Sequence, residues 1–293
     1  MPNPYFVVME AITYTLFAGC LAHAWRRGPH VAWQLLAGVT FGVLLELATI
    51  QQLHAYHYGR FLIMLGDVPL AVGVAWGCII YSARLFSDAS SLPLAARPIF
   101  DGLLALNIDL SMDAIAIRLG MWDWGQGLKS GYFGVPYANF WAWFWVVFSF
   151  SFGLRLLTVR GYWAARWLGP LGAIVIGLIG VLGTNALILF MVPRGGYLLS
   201  IVLLLGAASG TILFLRPRLG VRPVPAPAFW VPFAFHTYFL AAGLISGVIL
   251  QSPFLLAVSL AMLLLALYWH RAAPFTRGMI GPIPKQEDPR RTK

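Results

Sequence analysis

The sequence predicts an all-α fold, a polytopic transmembrane helical bundle of about nine helices with its N-terminus outside and its C-terminus inside. Hydrophobic residues make up 60% of the 293 positions and charged residues only 10%, with a mean hydropathy of +0.78. A soluble domain carries roughly 25% charged residues. Nine apolar stretches approach the length needed to cross a hydrocarbon core of roughly 30 Å, at about 1.5 Å per residue. They lie near 5–25, 31–52, 68–86, 98–119, 137–158, 166–192, 196–215, 229–250 and 254–270. Lys and Arg alternate between the two sides. With the N-terminus outside, 16 of the 20 fall on the inner side, leaving Arg60, Arg118, Lys129 and Arg194 outside. The positive-inside rule therefore supports both the helix count and the orientation.

The first segment lacks a basic n-region and is followed by Arg26 and Arg27, so it reads as an outside-to-inside helix rather than a cleaved signal peptide. The second and third carry GxxxG-type pairs, Gly38/Gly42 and Gly73/Gly77, which allow close helix contact. Between them runs the aromatic loop QQLHAYHYGRFLIMLGD (51–67), whose Asp67 is placed to cap the third helix ahead of Val68-Pro69. A second aromatic, Gly-rich loop, MWDWGQGLKSGYFGVPYANF (121–140), leads into the fifth helix. Part of this Trp and Tyr content is the ordinary interfacial belt. The stretch RPRLGVRPVPAPAF (216–229) reads as a stiff inner linker before the last two helices. The loops hold no soluble domain. We therefore expect one integral membrane helical domain over 1–275 and a basic cytoplasmic tail over 276–293, anchored at the anionic inner leaflet. That placement of the charge disfavours nucleic acid as a partner.

The fourth segment, IFDGLLALNIDLSMDAIAIRLG, is the most informative. Asp109 and Asp113 stand four residues apart, so both leave the same helix face, one above the other. A carboxylate facing lipid costs several kcal/mol, so such a pair lines a protected cavity or performs chemistry. Two like charges this close cannot both ionise cheaply, and one carboxyl keeps its proton. Glu46, Asn139 and Asn185 fall at the same outer depth, and with the two aspartates they are expected to converge on one cavity. Glu10 is expected to be an interfacial group reaching water, and Asp101 a solvated or capping group near the inner end of the fourth helix.

Several classes are disfavoured. No CxxC, Walker, GxGxxG or GxSxG pattern occurs, and no internal repeat of the kind found in many transporters is visible. Cys20 and Cys78 lie within apolar helices, which makes a disulfide improbable. His54 and His57 have the i, i+3 spacing of a metal pair but no further clustered histidines, so they read as interfacial loop residues and no metal is expected. His236 reads as a satisfied core histidine.

Two segments resemble a known family. YHYGRFLIMLGDVPLAVGVAW (56–76) is similar to the YGxYxY…LGxxxxxVPLxVxxAW segment of membrane carotenoid-biosynthesis proteins, and DLSMDAIAIRLGMWDWGQGLKSGYFGVPYANFWAWF (109–144) resembles their D…D…WxW…G.YYGVPxxNFxGWF segment. Glu46 stands where that family has a glutamate in its second helix. The resemblance spans about 35–150. It implies a carotenoid 1,2-hydratase, of the kind that includes bisanhydrobacterioruberin hydratases. Such enzymes add water across the terminal double bond of a ψ-end group and need no cofactor. Three positions depart from the pattern: Ala142 replaces a glycine, Phe133 a tyrosine and Ala114 a proline.

The residue reading and the resemblance lead to the same expectation. Asp109, Asp113 and Glu46 are the candidate catalytic acids. Trp122, Trp124, Tyr132, Tyr58 and Trp143 are candidate substrate-binding aromatics, and Asn139 is a candidate to position water. The expected partners are a carotenoid or other long isoprenoid and membrane lipid, in the cell membrane. A pigment-binding structural subunit and a proton-coupled transporter are the rival readings. The topology is directly testable: reporter fusions after Arg166 and at the C-terminus should both report cytoplasm, and a signal from the outer side at either would overturn it.

Overall fold

The computed structural model describes residues 3–53 and 56–270, with the backbone alone for 51–53. His54 and the basic tail lie outside the described residues. Nine helices account for most of the described chain: α1 (Pro4–Arg27), α2 (Pro29–Leu53), α3 (Leu70–Asp88), α4 (Arg97–Arg118), α5 (Tyr137–Thr158), α6 (Trp163–Met191), α7 (Tyr197–Leu215), α8 (Ala226–Ile245) and α9 (Pro253–His270). Prolines mark several beginnings: Pro69, Pro136 and Pro225 are the N-caps of α3, α5 and α8. At the start of α1 the Asn3 side chain accepts the Tyr5 amide at 3.0 Å. Helix α8 ends five residues before the expected 250, where the chain turns through Gly247 at φ +76, a conformation glycine adopts without steric cost.

The protein is a multi-pass membrane protein. Eight of the nine helices are long and apolar enough to cross a bilayer, and α4 is the exception. Asp101, Asn107, Asp109 and Asp113 dilute its hydrophobicity. Helix α4 tolerates them because none of its residues is exposed. It packs against α3, α5, α7, α8 and α9, of which α7, α8 and α9 are the less buried. The glycines of α2 and α3 make the close crossing expected of them. A Cβ at Gly38 would meet the Gly77 Cα at 3.4 Å, and one at Gly42 would meet the Gly73 carbonyl oxygen at 2.9 Å.

The bundle has a basic end and an acidic end. At the basic end the Trp33 indole donates to the Trp167 carbonyl at 2.9 Å, the Ser91 amide to Arg218 O at 3.0 Å, and the Arg222 amide to Ala89 O at 3.1 Å. These bonds draw together the loops that carry most of the described arginines. Asp101 belongs to this end, but it is not solvated. It is fully buried and paired with Arg155 at 2.5 Å, while Arg155 reaches Asp88 at 3.0 Å and Asp88 reaches Arg97 at 3.1 Å. Ser151 donates a further hydrogen bond to Asp101. An acid inside a packed bundle needs such partners, and helix position alone does not reveal them.

At the acidic end the two aromatic loops pair with each other. Strand β1 (His57–Tyr58) lies antiparallel to β4 (Trp122–Asp123), and the Gly59 amide donates to Met121 O at 2.8 Å. Strands β2 (Met64–Leu65) and β3 (Val68–Pro69) form a small hairpin. Asp67 sits exposed in its turn, and the N-cap of α3 is Pro69 with no side-chain cap bond, so Asp67 does not cap that helix. Glu10 is only 1% exposed and does not reach water. Its oxygens accept the Leu62 and Ile63 amides at 2.9 and 3.2 Å, fastening the loop to α1. Polar backbone in a membrane domain needs a partner, and a glutamate on a neighbouring helix supplies two.

Replacing Arg155 by Met would leave Asp101 buried without its cation, a loss expected to cost about 3–5 kcal/mol. Thermal unfolding of the detergent-purified protein should show a clear drop in Tm. An unchanged Tm would mean that the ion pair contributes nothing to the fold.

Candidate functional site

The paired outer loops and the ends of α2, α3, α4 and α5 enclose a cavity of about 1160 Å³. Glu46, Asp113, Asn139, Trp122, Trp124 and Trp143 are on its wall. Its size suits a large apolar ligand, and its few polar groups converge rather than scatter.

One polar group is built on α4 and α5. The Asn139 side-chain amide donates to Asp113 Oδ2 at 2.6 Å and to Asp109 Oδ2 and Oδ1 at 3.3 and 3.5 Å. The shared amide holds the two carboxyls side by side, and two like charges that close cannot both ionise cheaply. Asp113 reaches the cavity, whereas Asp109 stands behind it, fully buried and off the cavity wall. Asn139 was expected to position water. It lines the cavity, with its amide nitrogen bonded to the carboxyl pair.

The second polar group surrounds Glu46 on α2. The Tyr58 hydroxyl donates to its Oε2 at 2.8 Å, Tyr56 donates to the same oxygen, and the Trp76 indole donates to Oε1 at 2.7 Å. Glu46 is 5% exposed. Burial first, then the neighbouring Glu46 charge, pushes the Tyr56 and Tyr58 phenols well above their ordinary range, so both remain donors. Glu46 and Asp113 line the same cavity and lie within electrostatic range of each other, as the shared depth of these acids led us to expect.

Aromatic faces make up much of the remaining wall. Trp76 and Trp143 pack with ring centroids 4.2 Å apart, Tyr56 and Trp124 at 4.4 Å, and Tyr58 and Trp122 at 6.0 Å. Tyr132 is not on the cavity wall. Its hydroxyl donates to Leu110 O at 2.9 Å and its ring packs edge-on against Phe140 at 5.1 Å. It therefore holds the second loop onto α4. The next residue, Phe133, has φ +50, a left-handed conformation uncommon for a bulky side chain. Arg118 clamps the turn by donating to Phe133 O at 2.6 Å and Ala114 O at 2.7 Å.

Sequence reasoning missed Tyr56 and Trp76, the two donors that complete the Glu46 cage. The loop fold that brings Tyr56 back onto α2 has no local signal, and Trp76 reads as one more apolar position of α3. Asn185 lines the cavity from α6, with Arg194 and Tyr197 beyond it. His236 is buried between Ser111 Oγ and Asn107 Oδ1, 3.0 Å from each, and is the satisfied core histidine expected. Cys20 and Cys78 are both free thiols. Among the described residues no group of three or more His, Cys, Asp or Glu is arranged to hold a metal. His57 is exposed in β1.

A family model described as "Carotenoid biosynthesis protein" matches residues 3–212, which include every residue of this site. No curated protein and no solved structure matches the chain.

Ala142 lies on the cavity wall. Ala142→Phe should narrow the cavity and lower the amount of acyclic carotenoid that co-purifies with the protein, read as the ratio of visible to ultraviolet absorbance. Undiminished pigment would place the ligand elsewhere.

Proposed function

The chain belongs to the carotenoid biosynthesis protein family, and from that premise we propose that it hydrates a terminal isoprenoid double bond of a carotenoid, without a cofactor, in the cell membrane. The observation that carries this reading is the carboxyl pair: Asn139 bridges Asp109 and Asp113 behind an aromatic wall, and only Asp113 opens onto the cavity.

Hydrating a trisubstituted terminal alkene begins with transfer of a proton to the less substituted carbon. A tertiary cation forms at the other carbon, and water captures it. The acid has to hold a proton at working pH and be shielded from bulk water. Two carboxyls that share one proton in a buried site meet that demand. Asp113 is the donor in this reading and is left ionised when the proton departs, while Asp109, behind it, is the ionised partner throughout. The cation would be stabilised by the faces of Trp76, Trp122, Trp124 and Trp143 and by the nearby Glu46 carboxyl. An apolar cavity within a membrane domain also suits a substrate that dissolves only in lipid.

The test is expression in a host that makes lycopene, followed by pigment analysis. The wild-type protein should yield a carotenoid heavier by one water at each hydrated end. Asp113→Asn keeps size and most hydrogen bonding but removes the transferable proton, so product should fall by about 100-fold or more. Asp67→Asn, at the exposed hairpin turn, should leave the yield unchanged. A fully active Asp113→Asn protein would sink the acid assignment. Pigment binding without hydrated product in the wild type would favour a pigment-binding subunit.

A further inference from the structure

The geometry points to a division of labour among the three carboxyls, and we propose that Glu46 is the general base that deprotonates the attacking water, with Tyr56 on the path that returns that proton to Asp113. This rests on the hydration reading above and assigns the half of the reaction that reading leaves open.

Glu46 and the aspartate pair are served by different kinds of partner. Asp109 and Asp113 share the single amide of Asn139, which holds two like carboxyls together so that both cannot ionise cheaply. Glu46 receives three donors, Tyr56, Tyr58 and Trp76, and none of them can accept a proton from it while donating. Glu46 is the acceptor in all three bonds, the role of a carboxylate oxygen. Two oxygens offer roughly four acceptor positions. Three are taken, and the remaining one is available to a water in the cavity that Glu46 lines. Among the described residues Glu46 is in no salt bridge, so no cation competes for that oxygen.

The steps balance. The Asp113 O–H bond breaks as a C–H bond forms at the less substituted alkene carbon, and the tertiary carbon becomes cationic. The oxygen of the Glu46-bound water forms the C–O bond while its proton passes to Glu46. The product is a tertiary alcohol. Asp113 is left ionised and Glu46 protonated, so one proton has to return before the next turnover. Tyr56 donates to Glu46 and lines the same cavity as Asp113. Once its hydroxyl hydrogen turns from Glu46 towards the cavity, its oxygen can accept the Glu46 proton as its own passes to Asp113. No oxidant, metal or other reactant is required.

Base and acid failure can be separated by isotope exchange in membranes suspended in D₂O and supplied with lycopene. Wild-type membranes should form deuterated alcohol; if no hydrated product forms, the hydration reading itself fails, whatever the variants do. In Glu46→Gln the cation still forms but water capture is slow, so hydration should fall about 100-fold or more. The recovered lycopene should nonetheless gain deuterium as the cation reverts. Asp113→Asn should show neither hydration nor exchange. If Glu46→Gln hydrates at more than about a tenth of the wild-type rate, or loses exchange together with hydration while present in the membrane at wild-type level, the base assignment is overturned. Should Glu46→Gln fail to reach the membrane, Tyr56→Phe decides. It keeps Glu46 and two of its donors, and it should slow hydration about tenfold while exchange continues. Unchanged hydration in Tyr56→Phe overturns the proposal.

Discussion

A buried carboxyl inside a hydrocarbon layer is costly unless it is served by a partner, and this constraint shapes both ends of the bundle. Each buried acid has its own solution. Glu10 takes two backbone amides, Asp101 takes Arg155, Glu46 takes two phenols and an indole, and Asp109 and Asp113 share one side-chain amide. Buried acids without partners would cost several kcal/mol each. The loops are therefore more than connectors. The 56–69 loop brings Tyr56 and Tyr58 to Glu46, and Glu10 in turn fixes that loop to α1.

The two ends use the constraint differently. At the basic end, acids and arginines pair one to one or in a short chain, an arrangement that holds helices in register. At the acidic end, no arginine among the described residues forms an ion pair with the carboxyl cluster. Its acids are satisfied by neutral donors, which leave the proton inventory free to change. Arg118, at the same depth, spends its guanidinium on the Ala114 and Phe133 carbonyls and so stays out of the cavity chemistry.

The architecture was legible because hydropathy, charge alternation and small-residue spacing are local signals, and the glycine pairs of α2 and α3 meet as expected. The i, i+4 spacing of Asp109 and Asp113 made their common face legible too. Contacts closed over long sequence distances were not. Glu10 and Asp101 looked like interfacial groups because their partners lie 52 to 54 residues away. Asp67 looked like a cap, but the hairpin it belongs to places Pro69 at the helix start. Tyr132 looked like a cavity aromatic, yet its hydroxyl is drawn to a helix carbonyl. Helix α4 looked like an ordinary span, and its full enclosure is what lets it be less apolar than its neighbours.

That tyrosine bond has a consequence for how the sequence can drift. In an α-helix the amide of residue 114 meets the carbonyl of residue 110, and here the Tyr132 phenol meets the same oxygen. A proline at 114 removes the amide, but Leu110 O keeps a partner, so no orphaned acceptor is created. The position can exchange alanine for proline at little solvation penalty. The exchange would bend α4 within the very turn that carries Asp109 and Asp113. Drift at a single buried alanine could thus alter how closely the two carboxyls approach without touching either of them.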